Sequence, residues 1–145
     1  MNWKNEAMEK LRKYDAMRQA TQNIPEEISR LELAARSIRS ARTDGTAVKG
    51  GGSKREEMLL NNLVHRQELE WSLDQARSWL VTADRALSVL SPEEKLVLHR
   101  FYMYPERGSV ERLCGELGVE QSSIYRKRDK ALHRFTTALY GTVES

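Results

Sequence analysis

Cysteine is almost missing from this chain: Cys114 stands alone among 145 residues, so no intrachain disulfide framework is available. Long apolar runs are missing too, which excludes a membrane span and a signal peptide. Charge of one sign is scarce, with 24 basic residues against 21 acidic ones and a net charge of +3. By segment, 11 basic residues face 7 acidic ones up to Lys54, 4 face 6 from Arg55 to Leu90, and 9 face 8 thereafter, so no stretch is a polycationic tail. Signatures of catalysis are equally thin. The Gly50 to Gly52 run lacks a flanking strand and the Lys-Ser or Lys-Thr of a phosphate-cradling loop, and there is no nucleophile elbow. The acidic pairs Glu26-Glu27, Glu56-Glu57 and Glu93-Glu94 sit near helix starts, where the helix dipole accounts for them. His65, His99 and His133 fall far apart without a second ligand at metal spacing. These absences point to a cytoplasmic binding protein, not an enzyme, with no metal and no cofactor.

What remains is a helix-rich pattern, and it is sharpest in the last third. Ser91-Pro92-Glu93-Glu94 joins a hydroxyl N-cap, a proline at the first helical position and acids in the first turn. A helix starts there, with Leu96, Val97, Leu98 and Phe101 as its apolar face, and Tyr104-Pro105 with Gly108 ends it. Ser109 is the expected cap of a second helix, whose Val110, Leu113, Cys114 and Leu117 recur at helical spacing before Gly118. A third helix follows from Gln121, with Ile124, Ala131, Leu132 and Phe135 inward and Cys114 expected in the same core.

Two helices joined by a glycine turn leave the first half of the second one proud of the surface, where its side chains reach a DNA groove. On that face stand Gln121, Ser122, Tyr125 and Arg126, suited to base edges or phosphates. Arg128, Lys130 and Arg134 are placed for phosphates. From Glu120 to Arg134 five basic residues meet two acidic ones, a local excess of three positive charges.

Leu90-Ser91-Pro92-Glu93-Glu94, Arg100-Phe101-Tyr102, Leu113 to Val119, and Ile124-Tyr125-Arg126 through Lys130-Ala131-Leu132 together resemble region 4 of bacterial sigma factors. The whole chain is similar to small phage and prophage regulators of the ArpU and RinA kind. The resemblance implies a module that binds promoter DNA and touches RNA polymerase. It places recognition residues at Gln121, Ser122, Ser123, Tyr125 and Arg126, with Asp129 and Lys130 at the edge. Lys127 stands where region 4 usually has an apolar residue, and Gln121 and Ser123 stand where it often has arginine.

Upstream, residues 3–41 are helix-patterned through Ala7, Leu11, Tyr14, Ile24, Ile28, Leu31, Ala35 and Ile38, with a kink or brief break expected at Pro25. Residues 43–54, which hold Asp44-Gly45 and the glycine run, read as a flexible linker. From Arg55 a second long helix carries Leu69, Leu73, Ala76, Leu80, Ala83, Leu87 and Leu90, alternating by four and three as a heptad seam. At 1.5 Å per residue it is about 50 Å long and needs a partner helix. The nearest one is the N-terminal helix folded back as an antiparallel hairpin. Trp71 and Trp79 beside the seam widen its apolar surface beyond what one partner covers, so a homodimer through the long helices is expected.

The expected fold is therefore all-α: a long, coiled-coil-like N-terminal helical hairpin over residues 1–90 and a helix-turn-helix of the sigma region 4 kind over 91–145. The expected role is sequence-specific binding of double-stranded DNA in transcription. The alternative is a DNA-packaging protein similar to a small terminase subunit.

Overall fold

In a computed structural model, described for residues 2–41 and 51–141, the chain forms helices and no strand among the described residues. The helices are α1 (Trp3–Arg12), α2 (Tyr14–Ser40), α3 (Gly51–Ser88), α4 (Pro92–Leu98), α5 (Ser109–Leu117) and α6 (Gln121–Tyr140), with one wide π-helical turn, His99–Met103, after α4. No helix among the described residues is long and apolar enough to cross a membrane. Of the linker expected over 43–54, residues 43–50 lie outside the described residues, and Gly51 to Lys54 begin α3.

The chain divides into two compact units, Met1–Arg18 with Ser78–Ser145, and Gln19–Arg77. The boundary expected near residue 90 thus falls elsewhere, because the N-terminal helix belongs to the first unit. Ala7 and Leu11 of α1 are fully buried in one core with Ala86 and Leu90 of the chain leading into α4, Leu98, Tyr102, and Ala131, Leu132 and Phe135 of α6. Trp3 adds a tilted ring contact to Tyr140 at 4.8 Å. Further along, Tyr14 donates its hydroxyl proton to Asp84 at 2.6 Å, and Trp79 lies under the Lys10 ammonium at 4.9 Å. Burial, and then the Asp84 carboxylate, push the Tyr14 hydroxyl pKa up to about 12. Trp79 is thereby covered within the unit.

Local chemistry sets the remaining elements. Asn2 caps α1 through its side-chain oxygen, which accepts from the Asn5 N–H at 3.2 Å. Pro25 lies inside α2, which runs unbroken past it, whereas the interruption comes at Lys13 between α1 and α2. A proline costs one rung of the helix ladder, and the buried Leu31 and Ala35 hold α2 in place beyond it. Ser91 and Glu94 form a complete capping box for α4. In the wide turn after it, the Tyr104 N–H reaches back five residues to the His99 carbonyl. That turn leaves Tyr102 buried beneath α4 and Phe101 only half-buried at its flank, so Tyr102 takes the inward place expected of Phe101.

In the second unit, Leu31 and Ala35 of α2 and Leu73 and Ala76 of α3 are buried. Asn62 sits on the same stripe of α3, one turn before Arg66 and two before Leu69, and its amide donates to the Leu31 carbonyl of α2 at 2.8 Å. The Arg66 Nε–H donates in turn to the Asn62 side-chain oxygen at 2.8 Å, which satisfies the buried amide from both sides.

Because Leu11 is fully buried while Leu33 is 60% exposed, truncating them separates core from surface. Leu11→Ala is expected to cost about 2–5 kcal/mol. Leu33→Ala should stay within about 0.5 kcal/mol in the isolated chain. Urea unfolding of the two variants checks this, and equal midpoints would show that α1 does not share the core.

Candidate nucleic-acid interface

The surface singled out by the sequence is carried by α6, and its presentation depends on the turns before it. Gly108 adopts a left-handed conformation (φ 80°) and stands at the N-cap of α5, the place expected of Ser109. The Ser109 hydroxyl instead closes the preceding turn, accepting from the Glu106 N–H at 3.1 Å and donating to the Glu106 carbonyl at 2.6 Å. At the other end of α5, Gly118 is again left-handed (φ 63°), and the Val119 N–H bonds to the Cys114 carbonyl. α6 then starts at Gln121, with Glu120 as an extended N-cap residue. Leu113 and Ile124 are fully buried, one from each side of the turn, while Cys114 is half-buried. Arg100 ties the wide turn to α5 through Glu116 at 3.1 Å.

The inward face of α6 is the expected one, with Ile124, Ala131, Leu132 and Phe135 all buried and Thr136 added to them. Of the eight residues assigned to DNA, Gln121, Ser122, Tyr125, Arg126, Lys130 and Arg134 are exposed and Ser123 and Arg128 are half-buried, with Arg128 and Arg134 held in ion pairs. The Gln121 amide lies 3.4 Å from the Tyr125 hydroxyl, and the Arg126 guanidinium 3.4 Å from the Ser123 hydroxyl, so the first turn and a half of α6 carries two polar pairs. Beside it, Arg100, Phe101, Pro105, Val110, Gln121 and Tyr125 line a shallow hollow of about 270 Å³.

Two basic residues of α6 serve its attachment. Lys127 pairs with Glu93, and Arg134 pairs with Glu94 and also donates to the Val89 carbonyl at 3.0 Å. Lys127 thus occupies a position otherwise expected to be apolar because an acid in the first turn of α4 receives it. Arg128 folds back over Phe101 and Tyr125, at 5.4 and 5.1 Å from the ring centroids, and pairs with Asp129 at 3.0 Å. On α6, Arg126 and Lys130 are left as exposed cations without an ion pair among the described residues.

The roles of Glu93, Glu94 and Phe101 were not read from the sequence. Glu93 and Glu94 were expected only as acids in the first turn; the partners Lys127 and Arg134 lie 34 and 40 residues away along the chain. Burial pushes the Glu94 carboxyl pKa up. The bonds from the Ser91 N–H and hydroxyl, with the charges of Arg134 and Lys130, outweigh it and hold the group below its usual value of 4.5.

No group of three or more His, Cys, Asp and Glu side chains able to hold a metal occurs among the described residues. No protein-family model, curated protein or solved structure matches the chain.

Glu94 supplies both a cap and an anchor for Arg134, so Glu94→Gln should cost about 1–3 kcal/mol at neutral pH. The native carboxylate has a lowered pKa, so its stabilisation is complete above the usual carboxylate range and drains as pH falls through the lowered value. A series of Tm measurements from pH 7 to pH 3 should therefore show a flatter acid limb in the variant. Parallel limbs would remove Glu94 from the acid response.

Proposed function

We propose that this chain is a sequence-specific DNA-binding transcriptional regulator of phage or prophage type, in which α5 and α6 act as a helix-turn-helix of the sigma region 4 kind. The observation that carries this reading is the first turn and a half of α6. Beyond a left-handed glycine it presents Gln121, Ser122, Tyr125 and Arg126 together, on a helix whose other face is locked in a core. Glutamine pairs with an adenine edge and arginine with a guanine edge, and one helix of this kind fits the major groove. Lys130 follows as a phosphate contact. RNA polymerase is the second partner in this reading, on the strength of the sequence resemblance, and the bacterial cytoplasm is the compartment.

Self-association through the long helices, paired within each chain as a hairpin, belongs to the same proposal. Leu60, Val64 and Trp71 recur at spacings of four and seven, on the side of α3 opposite Asn62, Leu73 and Ala76. Trp71 is 67% exposed, and large apolar side chains grouped in this way support an interface between copies. A homodimer gives two reading heads for two half-sites. A DNA-packaging role similar to a small terminase subunit shares these features and differs in subunit number.

Selection of bound fragments from a random DNA pool by the purified chain tests the reading, and one enriched motif is expected. Arg126→Ala combined with Tyr125→Ala should weaken binding of the enriched fragment by roughly 30-fold or more, from about 1–3 kcal/mol for each of the two contacts. Random duplex should be affected far less. Lys130→Ala should lower the slope of log affinity against log salt by about 0.9. A pool that shows no enrichment would sink the proposal.

For self-association, sedimentation of the wild-type chain should give a dimer, and Trp71→Glu should shift it to the monomer mass with helix content unchanged. A wild-type monomer at all concentrations would refute it. A ring of many subunits would favour the packaging role.

A further inference from the structure

We propose that Arg128 acts on DNA through Tyr125: it is a positioning residue that, with Phe101, fixes the Tyr125 ring as a base-contacting edge, and it is not a phosphate ligand. The inference rests on the DNA-reading proposal above and assigns Arg128 a different role from the one its charge suggests. Tyr125 is 37% exposed and stands at the mouth of the hollow beside the start of α6. An unsupported tyrosine at such a place turns among rotamers and must be ordered each time DNA binds. Here three groups hold it. The Arg128 guanidinium covers the ring at 5.1 Å, Phe101 meets it edge-on at 6.1 Å and 60°, and the Gln121 amide lies by its hydroxyl.

The same geometry takes Arg128 away from phosphates. Its guanidinium lies against two rings at once, its Nε–H donates to Asp129 at 3.1 Å, and only 30% of its side chain is exposed. A phosphate ligand needs its donors outward and its charge uncompensated. Phe101 reaches this place because it sits at the flank of the wide turn after α4, so that turn and the first half of α6 converge on one aromatic ring. Arginine suits this role better than lysine: an ammonium is also drawn to a ring face, as Lys10 is to Trp79, but only the planar guanidinium lies against two rings at once while its Nε–H bonds Asp129.

The test uses the full chain, the most enriched fragment from the random-pool selection, and a scrambled duplex of equal length. Arg128→Lys, which keeps the charge, is expected to lose at least about tenfold in affinity for the enriched fragment, close to the loss in Arg128→Ala. Affinity for the scrambled duplex and the salt slope should stay at wild-type values in both. Once Tyr125→Ala is present, either Arg128 change should have little further effect, since residues acting as a unit are not additive. The proposal is overturned if Arg128→Lys retains wild-type affinity while Arg128→Ala lowers the salt slope by about 0.9, the mark of a lost phosphate contact. Should the Arg128 variants unfold, as circular dichroism would report, Phe101→Leu carries the test. The same selective loss supports the proposal, and unchanged discrimination overturns it. A wild-type chain that enriches no fragment removes the DNA reading, and the proposal falls with it.

Discussion

The double duty of α6 is the constraint on which the rest of the structure depends. One stripe of this helix has to bury Ile124, Ala131, Leu132 and Phe135 together, while its first turns stay in solvent. No single partner helix covers such a stripe. α1, α4 and α5 all pack against α6, and the capping box, the wide turn and the left-handed glycines each serve to bring one of those partners into place. Burial supplies the driving force, and the turns decide the direction in which the remaining face looks.

Charge on α6 is distributed by the same logic. Its basic residues form a positive cluster in sequence, yet in space they divide by function. Lys127 and Arg134 fasten the helix to the acids at the start of α4, and Arg128 lies over aromatic rings. Surface ion pairs contribute little individually, but Glu94 is only 13% exposed and also caps α4, so the Arg134 pair is better shielded than most. A count of positive charges along α6 therefore overstates what is available to a polyanion. In the proposed DNA reading, the neutral and aromatic groups at its start carry correspondingly more of the sequence preference.

Much of this was legible in the chain itself. Helical periodicity located the inward residues of α6, and Ser91-Pro92-Glu93-Glu94 marked the start of α4, because these signals act within one turn of helix. The seam along α3 was equally plain, and Leu73, Ala76 and Ala83 are buried on it. What escaped depends on distant partners. Ala7 and Leu11 carry the periodicity of any amphipathic helix, which says nothing about which core receives them. Nothing local distinguishes Arg128 from Lys130 until Phe101 is brought beside it. The wide turn escaped for another reason: its five-residue hydrogen bond has no sequence signature, so Phe101 was placed inward where Tyr102 lies. Ser109 is a good cap by type, but Gly108 admits the left-handed backbone that moves the cap one residue earlier.

Asn62 has a consequence for alignment. A leucine and alanine seam is nearly self-similar under a shift of seven residues, so apolar packing alone does not select one setting of α3 against α2. An amide can. In the observed setting Asn62 is bonded to the Leu31 carbonyl and to Arg66. Any slipped setting would keep the Arg66 bond, which lies within α3, but would part the buried amide N–H from the Leu31 carbonyl, a cost of about 1–3 kcal/mol. Asn62 thus works as an index mark on an otherwise repetitive scale, giving up some apolar burial so that the two helices have one preferred setting instead of several of similar energy.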